Sequence, residues 1–214
     1  MTKRSELIAR EGFRFIIPLL AMTILSSAMG MNIVSGIFLF LTCFVLWFFR
    51  NPERTGPNDE KSVISPADGK VIKIEELEDT GFIQERCIKI SIFMNIFDVH
   101  VNRIPFSGTI ENITYKKGAF ISANLDKASE KNERNIVLLR TSTGRKILFI
   151  QIAGLIARRI VCWIDKGMDL TRGERYGLIC FGSRLELFIP SDSTVVVKVG
   201  DRVRAGSTVM GYLK

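Results

Sequence analysis

The chain has 214 residues, of which 47% are hydrophobic, and it carries a formal net charge of +8. This length allows one domain of ordinary size plus an appendage, with enough apolar material for a packed core. A single histidine excludes a multi-histidine metal centre, the four cysteines lack the short paired spacing of zinc sites or disulfide frameworks, and the scattered basic residues accompany no nucleic-acid-binding motif.

The first quarter of the chain contains an apolar run that is typical of a membrane anchor. Residues 15–49 include no charged side chain, and this is far longer than the roughly 7–15 apolar residues of a signal peptide. One straight helix of this length would extend about 50 Å, whereas the hydrocarbon core of a bilayer is roughly 30 Å thick. Because Gly30 and Gly36 weaken the middle of the run, we expect two short helices, Phe15 to Met29 and Ile33 to Phe49.

The charges that flank this run indicate its topology. Basic residues lie on both sides of it, namely Lys3, Arg4, Arg10, Arg14, Arg50 and Arg54. The positive-inside tendency therefore favours both ends in the cytoplasm, as in a hairpin that enters the membrane from that side. A single tilted span is the alternative, and it would place the rest of the chain across the membrane. The positive charge beyond the run suits an anionic bilayer surface.

The composition changes after residue 50. Residues 51–62 contain two prolines, a glycine and several charges, which predicts a linker between an anchor at residues 1–50 and a domain at residues 63–214. Short β-rich segments dominate this domain: Lys70–Ile74, Cys87–Phe93, Thr109–Tyr115, Asn135–Arg140, Lys146–Ile150, Tyr176–Phe181, Arg184–Ile189, Thr194–Val199 and Thr208–Leu213.

Side-chain alternation supports these strands. Ile88, Ile90 and Ile92 share one face, and Leu185, Leu187 and Ile189 do the same. Thr143-Gly144 predicts a hairpin between two of the strands. Helix is sparse in the domain, and the candidates are Leu125–Glu133 and a short piece around Leu155–Arg159.

The C-terminal segment resembles the hammerhead half of biotinyl and lipoyl carrier domains. The resemblance lies in residues 195–206 and in Val209-Met210-Gly211. It predicts a mainly β, barrel-sandwich-like domain, preceded by the N-terminal hydrophobic helical hairpin. Carrier function is disfavoured because no hairpin lysine is present to hold a swinging cofactor.

Three motifs carry the functional information. They are Ser65-Pro66-Ala67-Asp68-Gly69-Lys70, the segment from Phe93 to Arg103, and Phe181-Gly182-Ser183-Arg184. A Gly-Ser pair alone is ordinarily a turn. Together, however, the motifs resemble the short form of phosphatidylserine decarboxylase, a pyruvoyl enzyme made as a proenzyme. The resemblance runs from about Arg50 to Leu213 and includes a hydrophobic leader.

The resemblance implies a processed enzyme. The Gly182-Ser183 bond cleaves itself, Ser183 becomes a covalent pyruvoyl cofactor, and the β chain (residues 1–182) and α chain (residues 183–214) form a heterodimer, with a higher oligomer left open. The reaction is decarboxylation of phosphatidylserine to phosphatidylethanolamine and CO2 through a Schiff base, without an external cofactor, a metal or nucleic acid. The expected location is the cell membrane, with the catalytic domain on the cytoplasmic side.

The required chemistry explains the residue types at the cleavage site. Decarboxylation leaves electrons on Cα, and a carbonyl must take them up because no ordinary side chain can. Ser183 Oγ would attack the Gly182 carbonyl to form an ester, and loss of the Ser183 α-proton would expel the Gly182 carboxylate. The remaining dehydroalanine hydrolyses to pyruvoyl and ammonia. Glycine leaves its carbonyl unhindered and tolerates strained backbone angles.

Further site residues follow from the resemblance and from side-chain chemistry. His100 has a near-neutral pKa as a free side chain, which suits proton transfer in self-cleavage or in protonation of the carbanion. Asp68 corresponds, by the resemblance, to the aspartate of the long-form Asp-His-Ser processing triad; Asp68-Gly69 is also a common turn signal, so a purely structural Asp68 is the alternative. The second histidine of the long form is replaced here by Arg103, so either His100 serves both steps or another base does. Arg184 is a candidate for binding the lipid phosphate, and a solvated strand-end arginine is the alternative.

Other functions remain as alternatives. The substrate is open between ester-linked and ether-linked serine phospholipids, so archaetidylserine is a possible substrate. A serine hydrolase is disfavoured because the second glycine of the Gly-x-Ser-x-Gly elbow is missing after Ser183. A membrane-tethered carrier-like β domain without catalysis is the third interpretation.

Overall fold

The computed structural model describes residues 6–83, 85–122, 131–155, 159–180 and 182–214. The chain divides into two compact units, Met1–Glu53 and Arg54–Lys214. Helices dominate the described part of the first unit, and strands dominate that of the second.

The first unit is a pair of apolar helices joined by a tight turn. A short 3-10 turn, Arg10–Gly12, leads into α1 (Phe13–Ala28), and α2 follows at Asn32–Phe48. Gly30 has a φ of 73°, a left-handed conformation that glycine adopts without steric cost. The structure therefore confirms the helical pair expected from the uncharged run.

The two helices contact each other and leave apolar side chains exposed. The Ser35 hydroxyl of α2 donates to the Thr23 carbonyl oxygen of α1 at 3.2 Å. The stretch Arg10–Ala28 has 19 residues and is apolar enough to span a membrane, whereas α2 is a shorter apolar helix. Exposed side chains on the pair include Ile17, Leu20, Ile24, Leu25, Ile33, Ile37, Phe40 and Trp47. Exposed apolar surface of this extent is typical of a site that contacts lipid or another protein.

The second unit is built from short antiparallel strands. Those in its described part are β1 (Ser62–Ile64), β2 (Gly69–Leu77), β3 (Cys87–Met94), β4 (Val101–Arg103), β5 (Gly108–Lys116), β6 (Arg134–Arg140), β7 (Lys146–Ala153), β8 (Ile160–Cys162), β9 (Asp169–Leu170), β10 (Arg175–Ile179), β11 (Ser183–Pro190), β12 (Thr194–Val195), β13 (Arg202–Val203) and β14 (Val209–Tyr212). The mainly β prediction is therefore confirmed.

Eight of these strands form one curled sheet that resembles half a barrel. Its order is β13-β2-β3-β11-β7-β6-β5-β9. The strand β11 lies near the middle, paired with β3 along eight residues and with β7 along six. Two smaller sheets, β1-β14-β12 and β4-β10-β8, complete the unit.

Burial explains why the central strands have this composition. One face of β3 and β11 carries the predicted isoleucines and leucines into the main core, with Ile90, Ile92, Leu185 and Leu187 fully buried. The other face of β6, β7 and β11 packs a second apolar cluster that includes Phe188. Strands buried on both faces read as nearly continuous apolar runs, as β7 does.

Some sequence predictions differ from the structure in extent. The Thr143-Gly144 hairpin joins β6 to β7, and Gly144 has a φ of 79°. The strand predicted over Thr194–Val199 is wrong in length: β12 ends at Val195. The chain then turns, because the Lys198 N–H donates to Asp201 at 3.0 Å. The candidate helices Leu125–Glu133 and Leu155–Arg159 lie largely outside the described residues.

Candidate active site

Ser183 is the first residue of the central strand β11. In the sheet it lies between Met94, the last residue of β3, and Ala153, the last residue of β7. Its side chain is fully buried. Among the described residues, no three His, Cys, Asp or Glu side chains form a group that could hold a metal ion. Ser183 is the reactive candidate in this region because its hydroxyl can act as a nucleophile, and it is held at the first residue of a strand that is paired on both sides.

Gly182 precedes Ser183 in a left-handed backbone conformation. Its φ is 66°. A Cβ built at this position would meet no atom within 4 Å, so the requirement for glycine is conformational and does not arise from crowding. In this conformation an L-residue would be strained by roughly 1–2 kcal/mol. The peptide bond proposed for cleavage is thus presented in a geometry that favours glycine.

His100 lies directly against this peptide segment. It precedes β4, is 2% exposed, and accepts a hydrogen bond at Nε2 from the Gly182 N–H at 3.3 Å. Its Nδ1 is 3.0 Å from the Asp98 carbonyl oxygen. Because a carbonyl can only accept and a backbone N–H can only donate, the network assigns the ring proton to Nδ1. The lone pair of Nε2 therefore faces the Gly182 backbone.

The Ser183 hydroxyl is held by a sulfur atom. It donates to Met94 Sδ at 3.3 Å, and the same sulfur accepts a long contact from Asn102 Nδ2 at 3.8 Å. A thioether is a weak acceptor, so the hydroxyl is oriented without being bound tightly. The sequence placed Met94 inside a motif but gave no reason to assign it a role.

A line of buried side-chain amides continues from Asn102. Gln151 Nε2 donates to Asn102 Oδ1 at 2.8 Å, and Asn135 Nδ2 donates to Gln151 Oε1 at 3.0 Å. All three side chains are at most 1% exposed. Sequence reasoning missed them, although polar residues on the apolar faces of β6 and β7 were an available signal: Asn135 alternates with Val137, and Gln151 with Phe149.

Two ionisable groups near this line stay neutral. Cys162 contacts Asn135, and burial raises the pKa of its thiol. Burial also raises the pKa of Tyr176 well above its ordinary value, with the neighbouring Cys162 acting in the same direction. Tyr176 packs edge-to-face on Phe149, with ring centroids 4.9 Å apart. These two neighbours of the amides are therefore uncharged at physiological pH.

Asp68 is held in a separate ion pair. Among the described residues, its carboxylate oxygens accept hydrogen bonds from the Ala205 N–H at 2.7 Å and from Arg54 Nη2 at 2.8 Å. Asp68 immediately precedes β2, which is two strands from β11. Neighbouring strands are about 4.8 Å apart, so roughly 10 Å separates the backbones of Asp68 and Ser183.

The arginines at positions 103 and 184 are both buried. Arg103 Nη1 donates to the Gly173 carbonyl oxygen at 2.8 Å. Arg184 is 2% exposed, and its Nη1 is 3.8 Å from Glu186 Oε1. Because successive residues of a strand point to opposite faces, Arg184 lies on the face of β11 opposite to Ser183.

The structure thus brings Gly182, Ser183 and His100 together, and it places Asp68 and Arg184 in separate ion pairs.

Comparisons with known proteins agree on one family. A family model described as phosphatidylserine decarboxylase matches residues 41–211. A phosphatidylserine decarboxylase proenzyme from Syntrophus aciditrophicus is 52% identical over 210 residues, which cover 98% of this chain and 99% of the relative. Proteins of the same name from Desulfotalea psychrophila and Burkholderia cenocepacia are 48% and 42% identical, and each alignment covers 96% or 97% of both chains.

Proposed function

Because the chain belongs to the phosphatidylserine decarboxylase family, a family of carbon–carbon lyases made as proenzymes, we propose that it acts on phosphatidylserine through a pyruvoyl group formed from Ser183. The products are phosphatidylethanolamine and CO2. The observation that carries this proposal is the contact of His100 Nε2 with the Gly182 backbone, directly beside a buried serine at the start of β11.

Self-cleavage creates the reactive group from the chain itself. Ser183 Oγ attacks the Gly182 carbonyl carbon; the new C–O bond replaces the C–N bond, and the amine of residue 183 takes up a proton. Loss of the α-proton of residue 183 then expels the Gly182 carboxylate. Hydrolysis of the dehydroalanine releases ammonia and leaves pyruvoyl. The left-handed Gly182 and the oriented Ser183 hydroxyl support the first of these steps.

His100 is the proposed proton carrier. A neutral ring with its lone pair on Nε2 can accept the proton that leaves Ser183 Oγ once Nε2 has released the Gly182 N–H and the hydroxyl has turned away from Met94 Sδ. The same ring can later return a proton to the substrate carbon after CO2 has left. The hydrogen bonds of Nδ1 to the Asp98 carbonyl and of the Gly182 N–H to Nε2 fix the tautomer that leaves the Nε2 lone pair available for a base.

The residues around position 183 fit a pyruvoyl group. The site is buried, lies at the end of a central strand, and offers a neutral histidine within reach of the preceding residue. The carbonyl of that group supplies the electron sink for decarboxylation. The chain's own residues would hold the group in the sheet, exclude water and move protons.

Asp68 and Arg184 have proposed supporting roles. Asp68 would assist processing, although in the present geometry its carboxylate binds Arg54 and Ala205. Arg184 would bind the lipid phosphate only if it exchanged its partner Glu186 for the substrate. We therefore expect Asp68→Asn to slow cleavage, and Arg184→Gln to raise KM more than it lowers kcat if the phosphate contact forms.

The helical pair and the positive charge support a membrane location. We propose that the apolar helices anchor the protein in the cell membrane and that the catalytic unit works on the cytoplasmic side. A substrate that does not leave the bilayer is then within reach of a tethered enzyme.

A lipid assay tests the proposed function. Purified full-length protein in detergent is incubated with phosphatidylserine, and CO2 release and phosphatidylethanolamine are measured; an ether-linked serine phospholipid is run in parallel. We expect turnover of the ester lipid and none with Ser183→Ala. Turnover of the ether lipid alone would change the substrate to archaetidylserine, and turnover of neither lipid by a cleaved protein would contradict the proposal.

A further inference from the structure

The amide line near Ser183 is built from side chains that are costly to bury. Asn102, Gln151 and Asn135 are 0%, 0% and 1% exposed in an interior of isoleucine, leucine and phenylalanine. A buried amide costs free energy unless its hydrogen bonds are made, and apolar residues of similar shape would do at least as well for stability. Stability alone therefore gives no reason for three linked amides here.

The contact with Met94 decides, for every amide in the line, which neighbour its NH2 group faces and which neighbour its oxygen faces. A thioether sulfur can only accept, so Asn102 must present its NH2 group to Met94 Sδ. Its oxygen then faces Gln151, which must present its own NH2 group, and the Gln151 oxygen in turn faces Asn135. The three amide dipoles are thus aligned head to tail, and each bond polarises the next.

The strands around the three amides bring them together and leave space for them. Asn135 and Gln151 are directly opposite each other on β6 and β7. Gly177 of β10 lies beside the line, and a Cβ at that position would be 2.3 Å from the Val161 carbonyl oxygen of β8 and 3.1 Å from Gln151 Nε2. The close approach of β8 requires the glycine, and the same missing side chain leaves space for the amide of Gln151.

We propose that the Asn135–Gln151–Asn102 line positions Met94, and through it the Ser183 hydroxyl, for self-cleavage. This inference rests on the proposed function. Met94 is fully buried in the main core, but methionine has three rotatable side-chain bonds and adapts to irregular space, so apolar packing alone does not fix the direction of its sulfur. The Asn102 amide holds it from one side, and the Ser183 hydroxyl then finds an acceptor at a fixed place. The three amides are positioning residues, since they act on Ser183 only through Met94.

The first test removes the central amide. Full-length protein is made by cell-free translation in detergent, and the fraction of uncut chain is followed with time. Gln151→Leu removes one donor and one acceptor at nearly constant volume, and we expect the half-life of the precursor to lengthen at least about tenfold. Ile150→Val is the matched control, because Ile150 is the next residue of β7 and packs on the opposite face in the second apolar cluster. It removes a single methyl group, a small change for a core residue, and its precursor half-life should stay within about twofold of the wild type.

The second test uses a readout that a purely structural role would not change. In Gln151→Glu, a neutral carboxyl can still accept from Asn135 and donate to Asn102, whereas a carboxylate cannot donate. We therefore expect cleavage of this variant, relative to wild type at each pH, to be slow at about pH 8.5 and to recover at about pH 5.5, since burial favours the neutral carboxyl. Cys162 and Tyr176 stay neutral in this range, and His100 is common to both proteins.

The outcomes separate this inference from the proposed function. If Gln151→Leu cleaves at the wild-type rate, if Ile150→Val is slowed as much, or if Gln151→Glu follows the wild-type pH profile, the positioning role is wrong while the proposed function stands. If Gln151→Leu does not fold, the pH comparison within Gln151→Glu still decides. If the wild-type chain itself never cleaves, the proposed function fails instead.

Discussion

At the scale of single residues, His100 connects the geometry to the chemistry. Its Nε2 accepts from the Gly182 N–H, and its Nδ1 proton is directed to the Asp98 carbonyl. A glutamine at this position can still accept the Gly182 N–H through its side-chain oxygen, but it cannot take up a proton. The substitution therefore separates the hydrogen bond from the base.

We expect His100→Gln to slow self-cleavage or turnover by about 10²- to 10⁴-fold, the range ordinarily lost with a general base. Time courses of cleavage and of CO2 release measure the two steps separately. A variant that cleaves and turns over at wild-type rates would show that the lone histidine carries no proton in either step.

The conformation of Gly182 leads to a second prediction. Its φ of 66° strains any L-residue, and Gly144 in the β6–β7 hairpin has a similar φ of 79° with equally open surroundings. In an uncut Ser183→Ala background, both Gly182→Ala and Gly144→Ala should lower the free energy of unfolding by about 1 kcal/mol.

Cleavage distinguishes the two glycines. With Ser183 present, Gly182→Ala should slow cleavage because the alanine shifts the carbonyl that Ser183 attacks, whereas Gly144→Ala should cleave normally. Equal cleavage by both variants would mean that the left-handed geometry at Gly182 serves only the turn.

The reactive residues could be predicted from sequence more readily than the residues that hold them. Ser183, Gly182 and His100 lie in recognisable motifs, and His100 is the only histidine in the chain. Met94 and Gln151 have no such signal, because their proximity depends on the pairing of β3 and β7 with β11. A polar residue in an apolar strand shows that something unusual is buried, but strand register decides what it contacts.

At the scale of strands and helices, the period of the apolar side chains predicts the long elements well and the shortest strands poorly. The helical pair and the long strands β2, β3, β5, β6, β7 and β11 were predicted within a few residues of their bounds. Strands of two or three residues, such as β9 and β13, escaped prediction because they are too short to show alternation. They form because a neighbouring strand offers hydrogen-bonding groups. Which strand is the neighbour depends on the tertiary fold and cannot be read from a two-residue segment.

The pair β2–β3, which flanks β11, carries an electrostatic contact on its outer face. Lys73 and Lys89 lie 2.7 Å and 2.6 Å from the two carboxylate oxygens of Glu75. Burial acts to raise the pKa of Glu75, but the two lysine hydrogen bonds outweigh it and leave that pKa below its ordinary value. A lowered folded-state pKa stabilises the fold above the unfolded pKa of about 4.3, and this contribution is lost as the pH falls through the lower folded value.

A double-mutant cycle tests this contact. We expect Glu75→Gln and Lys89→Gln to show a favourable coupling of about 0.5 kcal/mol at pH 7, the range of cross-strand charge pairs, and none near pH 2.5. Unfolding by denaturant in the Ser183→Ala background measures it. A coupling of the same size at both pH values would show that the side chains interact by packing and not by charge.

At the scale of the whole molecule, the proposed cleavage leaves an interleaved fold. The α chain would contribute β11 to the middle of the large sheet, β12 and β14 to the sheet with β1, and β13 to an edge beside β2. Every one of these pairings except β12–β14 is to the β chain. Cutting one peptide bond removes none of the pairings.

We therefore expect the cleaved chains to remain one particle under native conditions. Size-exclusion chromatography in detergent should elute both fragments together, and they should separate only after denaturation. Loss of the short fragment on a native column would contradict this arrangement of β11.

Above all, we propose that the Gly182-Ser183 bond breaks itself and leaves a carbonyl in place of the serine. Intact mass measurement of purified, denatured full-length protein tests it most directly. We predict two fragments, residues 1–182 and residues 183–214, the shorter one with a blocked N-terminus that reacts with carbonyl reagents, and one uncut chain for Ser183→Ala. A wild-type chain that stays a single species of 214 residues after prolonged incubation would show that the Gly182-Ser183 bond does not break itself.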